Sequence, residues 1–118
     1  MAIQISGTPV IDNSRNLVNA NRIYTTFTSE QATSKAVTNR EFCNVTASNV
    51  TITLPAVTES SVGWEVVVGI STSSTNTTVT RNSVSDKIMG LAEDITIDYG
   101  NVAVTFVYTG SNYGWRIV

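Results

Sequence analysis

Short runs of alternating apolar and polar residues punctuate the chain. Val50, Ile52 and Leu54 alternate with Thr51 and Thr53 before Pro55 ends the run, which predicts a half-buried strand with its stop signal attached. A second run, Gly63 to Ile70, sets Trp64, Val66 and Val68 on one face and Glu65, Val67 and Gly69 on the other. The same grammar recurs at Arg40–Thr46, Thr77–Arg81, Lys87–Gly90, Asp94–Asp98, Val102–Tyr108 and Tyr113–Val118. Between these runs lie turn-forming stretches: Thr46–Asn49, Ser71–Asn76, Asn82–Asp86, Tyr99–Asn101 and Thr109–Asn112. About eight strands at spacings of roughly 8–12 residues predict an all-β fold, an antiparallel β-sandwich or jelly-roll-like roll. In this reading Arg40–Thr46 and Val50–Leu54 form one hairpin, and Val102–Tyr108 and Tyr113–Val118 another.

The first 28 residues do not share the pattern. Ile3 and Ile5 fit a short strand that Gly7 to Pro9 breaks, and Leu17, Val18, Ile23 and Tyr24 follow without a helical or strand period. Four Asn residues between positions 13 and 21 weaken both readings, because their side chains compete for backbone hydrogen bonds. Apolar residues without a period of their own suit an extended arm laid over another surface. Packing as edge strands on the same domain is the alternative. The expected division is an arm over 1–28 and a β-sandwich domain over 29–118. Thr28 to Gln31 has capping-box spacing for a turn or two of helix, or serves as an extended lead-in to the next strand.

Composition reinforces the β reading. Sixteen Val, ten Ile and eighteen Thr stand against three Leu, and β-branched side chains favour a pleated surface over a helix. The net charge is −2, and the seven Lys and Arg are scattered from Arg15 to Arg116, which argues against nucleic acid as a partner because phosphates demand clustered cations. The absence of His excludes His-based triads and the usual Cys/His zinc sites. The single Cys43 has no intramolecular disulfide partner and reads as a small buried hydrophobe. The start of the chain does not resemble a signal peptide, and no run approaches the ~20 apolar residues of a membrane helix. No cofactor and no membrane partner are expected.

Candidate chemistry is sparse. Asp94 and Asp98 share a strand face with Thr96, and Asp86 or Glu93 would have to join them for a metal or a glycosidase pair; an exposed polar face is the simpler reading. Glu65 is expected to pair with an Arg. The Asn-x-Thr triplets at Asn44, Asn49 and Asn76 match a glycosylation pattern that a chain rich in Asn and Thr meets by chance. Tyr108, Tyr113 and Trp115 could make a sugar-stacking patch or simply pair across a hairpin, and Trp64 and Trp115 suit core or sheet-end anchors. No catalytic constellation is present, so no enzymatic activity is expected.

Two stretches carry a family resemblance. Ile5 to Leu17 resembles a phrase common in fibre and appendage proteins of tailed bacteriophages. Asn49–Pro55, Lys87–Gly90, Asp94–Asp98, Val104–Tyr108 and Gly114–Val118, in that order, resemble a small β module of phage tail fibres and other virion proteins. The chain has no long shaft or coiled coil, and as a free-standing module it is similar to a capsid cement or decoration protein. The resemblance implies a virion location after assembly in the host cytoplasm. It further implies a major capsid protein or other virion protein as partner, and a homo-oligomer, often a trimer. Ile3, Ile5, Val10, Ile11, Leu17 and Val18 are the expected anchors of the arm. A tail appendage binding a host receptor or glycan through the loops Ser71–Asn76 and Gly110–Gly114 is the alternative.

Overall fold

A computed structural model describes the backbone of Ile3–Ile5 and Thr8–Ile11, and residues 24–71 and 76–118 in full. Its strands are β1 (Ile3–Ile5), β2 (Thr8–Ile11), β3 (Thr26–Gln31), β4 (Lys35–Ala36), β5 (Glu41–Val45), β6 (Thr51–Thr53), β7 (Glu65–Ile70), β8 (Thr77–Thr80), β9 (Ile95–Ile97), β10 (Val102–Tyr108) and β11 (Trp115–Ile117). One 3-10 turn, Glu59–Ser61, interrupts the link between β6 and β7. The all-β expectation holds. Thr26–Gln31 is a strand, so the helical reading of Thr28–Gln31 gives way to the extended one, and the strand ladder begins inside the segment assigned to the arm.

The strands form two mixed sheets, β11-β10-β7-β5-β3 and β4-β6-β8-β9, while β1 and β2 pair as a separate antiparallel ladder. From β3 to β8 successive strands alternate between the larger and the smaller sheet. Each therefore lies beside the next but one, and the ladders β3–β5, β5–β7, β4–β6 and β6–β8 are all parallel. Parallel neighbours need a crossover between them; here the crossover is a strand of the other sheet. Strands β9, β10 and β11 close this winding with antiparallel partners.

The antiparallel reading is thus corrected for half the ladders, and with it the jelly roll, which pairs its strands antiparallel throughout. Arg40–Thr46 and Val50–Leu54 are not a hairpin, since β5 and β6 belong to different sheets. Asn49, at φ 61°, turns the chain out of one sheet toward the other. Tyr99–Asn101 does the same between β9 and β10. The expected hairpin of β10 and β11 is present, with Tyr108 opposite Trp115. Lys87–Gly90 forms only isolated bridges at Ile88 rather than a strand.

Both sheets feed one core. Cys43, Val45, Val66, Val68, Ile70, Phe106, Tyr108 and Trp115 come from the larger sheet, and Ile52, Leu54 and Val79 belong to the smaller sheet or follow directly from it. The period-2 pattern explains the division. On β5, Glu41, Cys43 and Val45 are buried and Phe42 and Asn44 half-buried, and their buried partners on β7 are Val66, Val68 and Ile70. Strand β7 is buried at all six positions because it is hydrogen-bonded on both edges and covered on both faces. That explains its near-continuous apolar sequence.

Candidate docking surface

The two mixed sheets have four edges to dispose of, because unpaired N–H and C=O groups along an edge invite other strands. Two edges are limited by length: β4 has two residues, and β9 has three, flanked by Asp94 and Asp98. The edge at β11 is covered. Trp115 donates its N–H to Lys87 O at 2.9 Å, and Met89 N–H donates to Trp115 O at 2.7 Å. The strap over residues 87–91 therefore lies along β11, folded on itself by reciprocal bonds between Ile88 and Leu91 of 2.9 and 3.1 Å. Gly114 makes this approach possible: its φ is +69°, and a Cβ there would stand 2.0 Å from Lys87 O.

Strand β3 differs. It runs six residues and, among the described residues, has β5 as its one strand neighbour. Phe27 on this strand is 66% exposed. Its ring stacks on Phe42 at 5.0 Å and 19°, and Tyr24 meets Phe42 edge-on at 5.9 Å and 85°. Register aligns Phe27, Phe42, Val67 and Thr105 in one row across four strands on the sheet face away from the core. Gly69 leaves room for the stack, since a Cβ there would lie 3.2 Å from the Phe42 ring and 3.0 Å from Asn44 Oδ1. The result is an aromatic patch beside a long strand edge.

A buried charge fixes β3 in place. Glu41 is 1% exposed. It accepts from Lys35 Nζ at 2.6 Å, Thr28 Oγ1 at 3.2 Å, Thr38 N at 3.1 Å and Thr38 Oγ1 at 3.3 Å. These bonds join β3, β4 and β5, so both sheets meet at this carboxylate. Such full satisfaction is what makes a buried carboxylate tolerable. Glu41 stands in phase with Cys43 and Val45, which is the signal in the sequence for its burial. Burial, with a further contribution from the Glu41 charge, raises the Cys43 thiol pKa to about 11 despite the opposing Lys35 charge, so this thiol stays protonated at neutral pH and is a core residue.

The other predicted sites resolve individually. Glu65 pairs with Arg40 at 3.2 Å, as expected. Asp94 is held by Arg81, whose Nε donates at 2.9 Å, and no three metal-ligating side chains gather among the described residues. The aromatic patch at the last turn is not formed as drawn: Tyr108 and Trp115 are buried against each other at 5.4 Å, leaving Tyr113 exposed. Of the arm anchors, Ile3 and Ile5 lie on β1 and Val10 and Ile11 on β2, while Leu17 and Val18 fall outside the described residues. Set against known protein families and curated proteins, the chain matches none.

Proposed function

We propose that the chain is a non-enzymatic structural protein of a phage particle, a cement or decoration protein that attaches to the outer surface of the head. The major capsid protein, or another virion protein, is its partner, and the protein works as a homotrimer. Its two sheets act as a β-sandwich block, and attachment runs through the amino-terminal segment and the adjoining sheet edge.

The observation that carries this reading is the contrast in edge treatment: β11 is strapped over, while the long β3 edge with its exposed Phe27 has no strand on its outer side among the described residues. A strand added to β3 would gain backbone hydrogen bonds, and the aromatic row would supply apolar contact beside them. Strand β3 follows in sequence the segment that carries Ile3, Ile5, Val10, Ile11, Leu17 and Val18. Deleting residues 2–24 and measuring attachment to capsids that lack the protein tests the reading. Attachment should be lost, and undiminished attachment would overturn the arm. Gold labelling that places the protein on a tail appendage would favour the alternative of a receptor- or glycan-binding module.

A further inference from the structure

The strap is tied to β11 and the turn before it by backbone bonds and by one side chain. Besides the bonds at Trp115, Gly90 N–H donates to Tyr113 O at 2.8 Å. The side chain is that of Met89, whose Sδ accepts the Ile117 N–H at 3.2 Å. The backbone explains why a sulfur stands there. Ile88 bridges Trp115 in parallel, and alternate residues of an edge strand send their N–H groups to the same side, so Ile117 N–H points outward as Trp115 N–H does. The strap does not follow it that far, because Met89 at φ 54° and Gly90 at φ 81° turn the chain back on itself. The Met89 side chain continues along the edge in place of the backbone.

A thioether is a weak acceptor, and it is a group that peroxides oxidise. Met89 is 42% exposed, and the chain's one other methionine is Met1. A hydroperoxide transfers one oxygen to a sulfur lone pair. The S–O bond forms as the O–O bond breaks, the sulfur is oxidised to the sulfoxide, and the peroxide, reduced, leaves with its proton as water or an alcohol. The sulfur has two lone pairs, and one of them faces the Ile117 N–H. Attack falls on the other, so the new oxygen points away from Ile117 and the sulfur centre takes one handedness. The oxidised sulfur carries partial positive charge, which makes it a poorer acceptor for the N–H beside it.

We propose that Met89 is an oxidation site for peroxides and a redox-sensitive cap of the β11 edge: its thioether closes the edge at Ile117, and its sulfoxide, formed as one epimer, opens it. Opening returns to this end of β11 an unpaired N–H of the kind that invites another strand. The site lies at the opposite edge from β3 and does not depend on the attachment reading above.

The test treats the full chain with hydrogen peroxide, with Nα-acetyl-methionine methylamide in the same solution as the standard. Mass spectrometry should find one added oxygen on the peptide that contains Met89. Methionine sulfoxide reductases that each accept one epimer then read the handedness. One epimer should exceed the other at least about threefold, the bias expected where a single hydrogen bond guards a lone pair, and the chain oxidised in urea should give near-equal amounts. Amide exchange at Ile117 should quicken at least about threefold on oxidation, return after reduction, and stay unchanged at Val68 in the core. Met89→Leu, which lacks the sulfur, should show the fast Ile117 exchange from the start and no response to peroxide. A Met89 still unoxidised when the standard is consumed, equal epimers from the folded chain, or Ile117 exchange unmoved by oxidation or by Met89→Leu would overturn the proposal.

Discussion

The two edges of the five-stranded sheet carry the same liability and treat it in opposite ways. At β11 the strap over residues 87–91 takes up the backbone groups of Trp115, and Gly114 gives up a side chain to let the strap in. At β3 the edge is longer, bears an exposed aromatic ring, and has no second strand among the described residues. A fold able to cover one edge by a local detour leaves the other without a cover among the described residues. What separates them is the sequence around each edge, a Gly at the contact in one case and a Phe on the outer face in the other.

Breaking the covered edge should have the largest effect. Gly114→Ala meets both a left-handed backbone and the Lys87 carbonyl, and is expected to cost about 3 kcal/mol and to release the strap, measured by urea denaturation and by faster amide exchange at Trp115. Next is the rivet beneath the open edge. Lys35→Met leaves Glu41 buried without its cation. Losing one partner of a fully buried pair costs ~3–5 kcal/mol, and because the Lys35 side chain is 30% exposed the expected loss is smaller, about 2 kcal/mol. A loss no larger than that of an average surface substitution would show that β3 is held by its ladder alone.

Gly69→Ala sharpens the contrast from the packing side. Its Cβ would press on Phe42 and Asn44, so the stack must shift at a cost of about 1 kcal/mol, read from the ring shifts of Phe27 and Phe42. Phe27→Ser should change stability by no more than ~1 kcal/mol; if the proposed capsid attachment runs through this edge, the same substitution weakens it, which separates a docking residue from a folding one. The smallest effect belongs to the short β9 edge. Hydrogen bonds from the Arg81 backbone and side chain hold the Asp94 pKa below the ordinary carboxylate value. Its contribution is therefore present above the unfolded pKa and lost as pH falls through the folded one. Asp94→Asn should lower thermal stability slightly at neutral pH, where the contribution is present, and flatten the decline on the acid side, leaving stability at low pH unchanged.

Much of the fold was legible because alternation reports facing. Val50, Ile52 and Leu54 are buried, Ile95 and Ile97 pack against the core, and Glu65 finds its Arg. Strand direction was not legible. A polar link such as Thr46–Asn49 serves equally well for a hairpin and for a bend into the other sheet, and the side-chain period is the same for both. The candidate docking surface was half legible. Phe42 is out of phase with Cys43 and Val45 in the run Arg40–Thr46 and so falls on the outer face, but Phe27 lies in the segment assigned to the arm, and its partnership with Phe42 arises only once β3 and β5 run side by side. The Tyr108–Trp115 pairing was anticipated as a cross-strand contact; its burial was not, because the strap that helps cover it comes from residues 87–91, which read as a strand of their own.

Parallel pairing of β3 with β5 also bears on how the protein would carry load. A pull on residue 24 along the axis of β3, against a body held through β5, strains the hydrogen bonds of the ladder together rather than one after another. Bonds loaded in shear yield only when several fail at once, whereas a hairpin pulled from its open end peels bond by bond. A protein tethered through its amino-terminal side would resist tension best at this strand, while β10 and β11, joined as a hairpin, would unzip under far less.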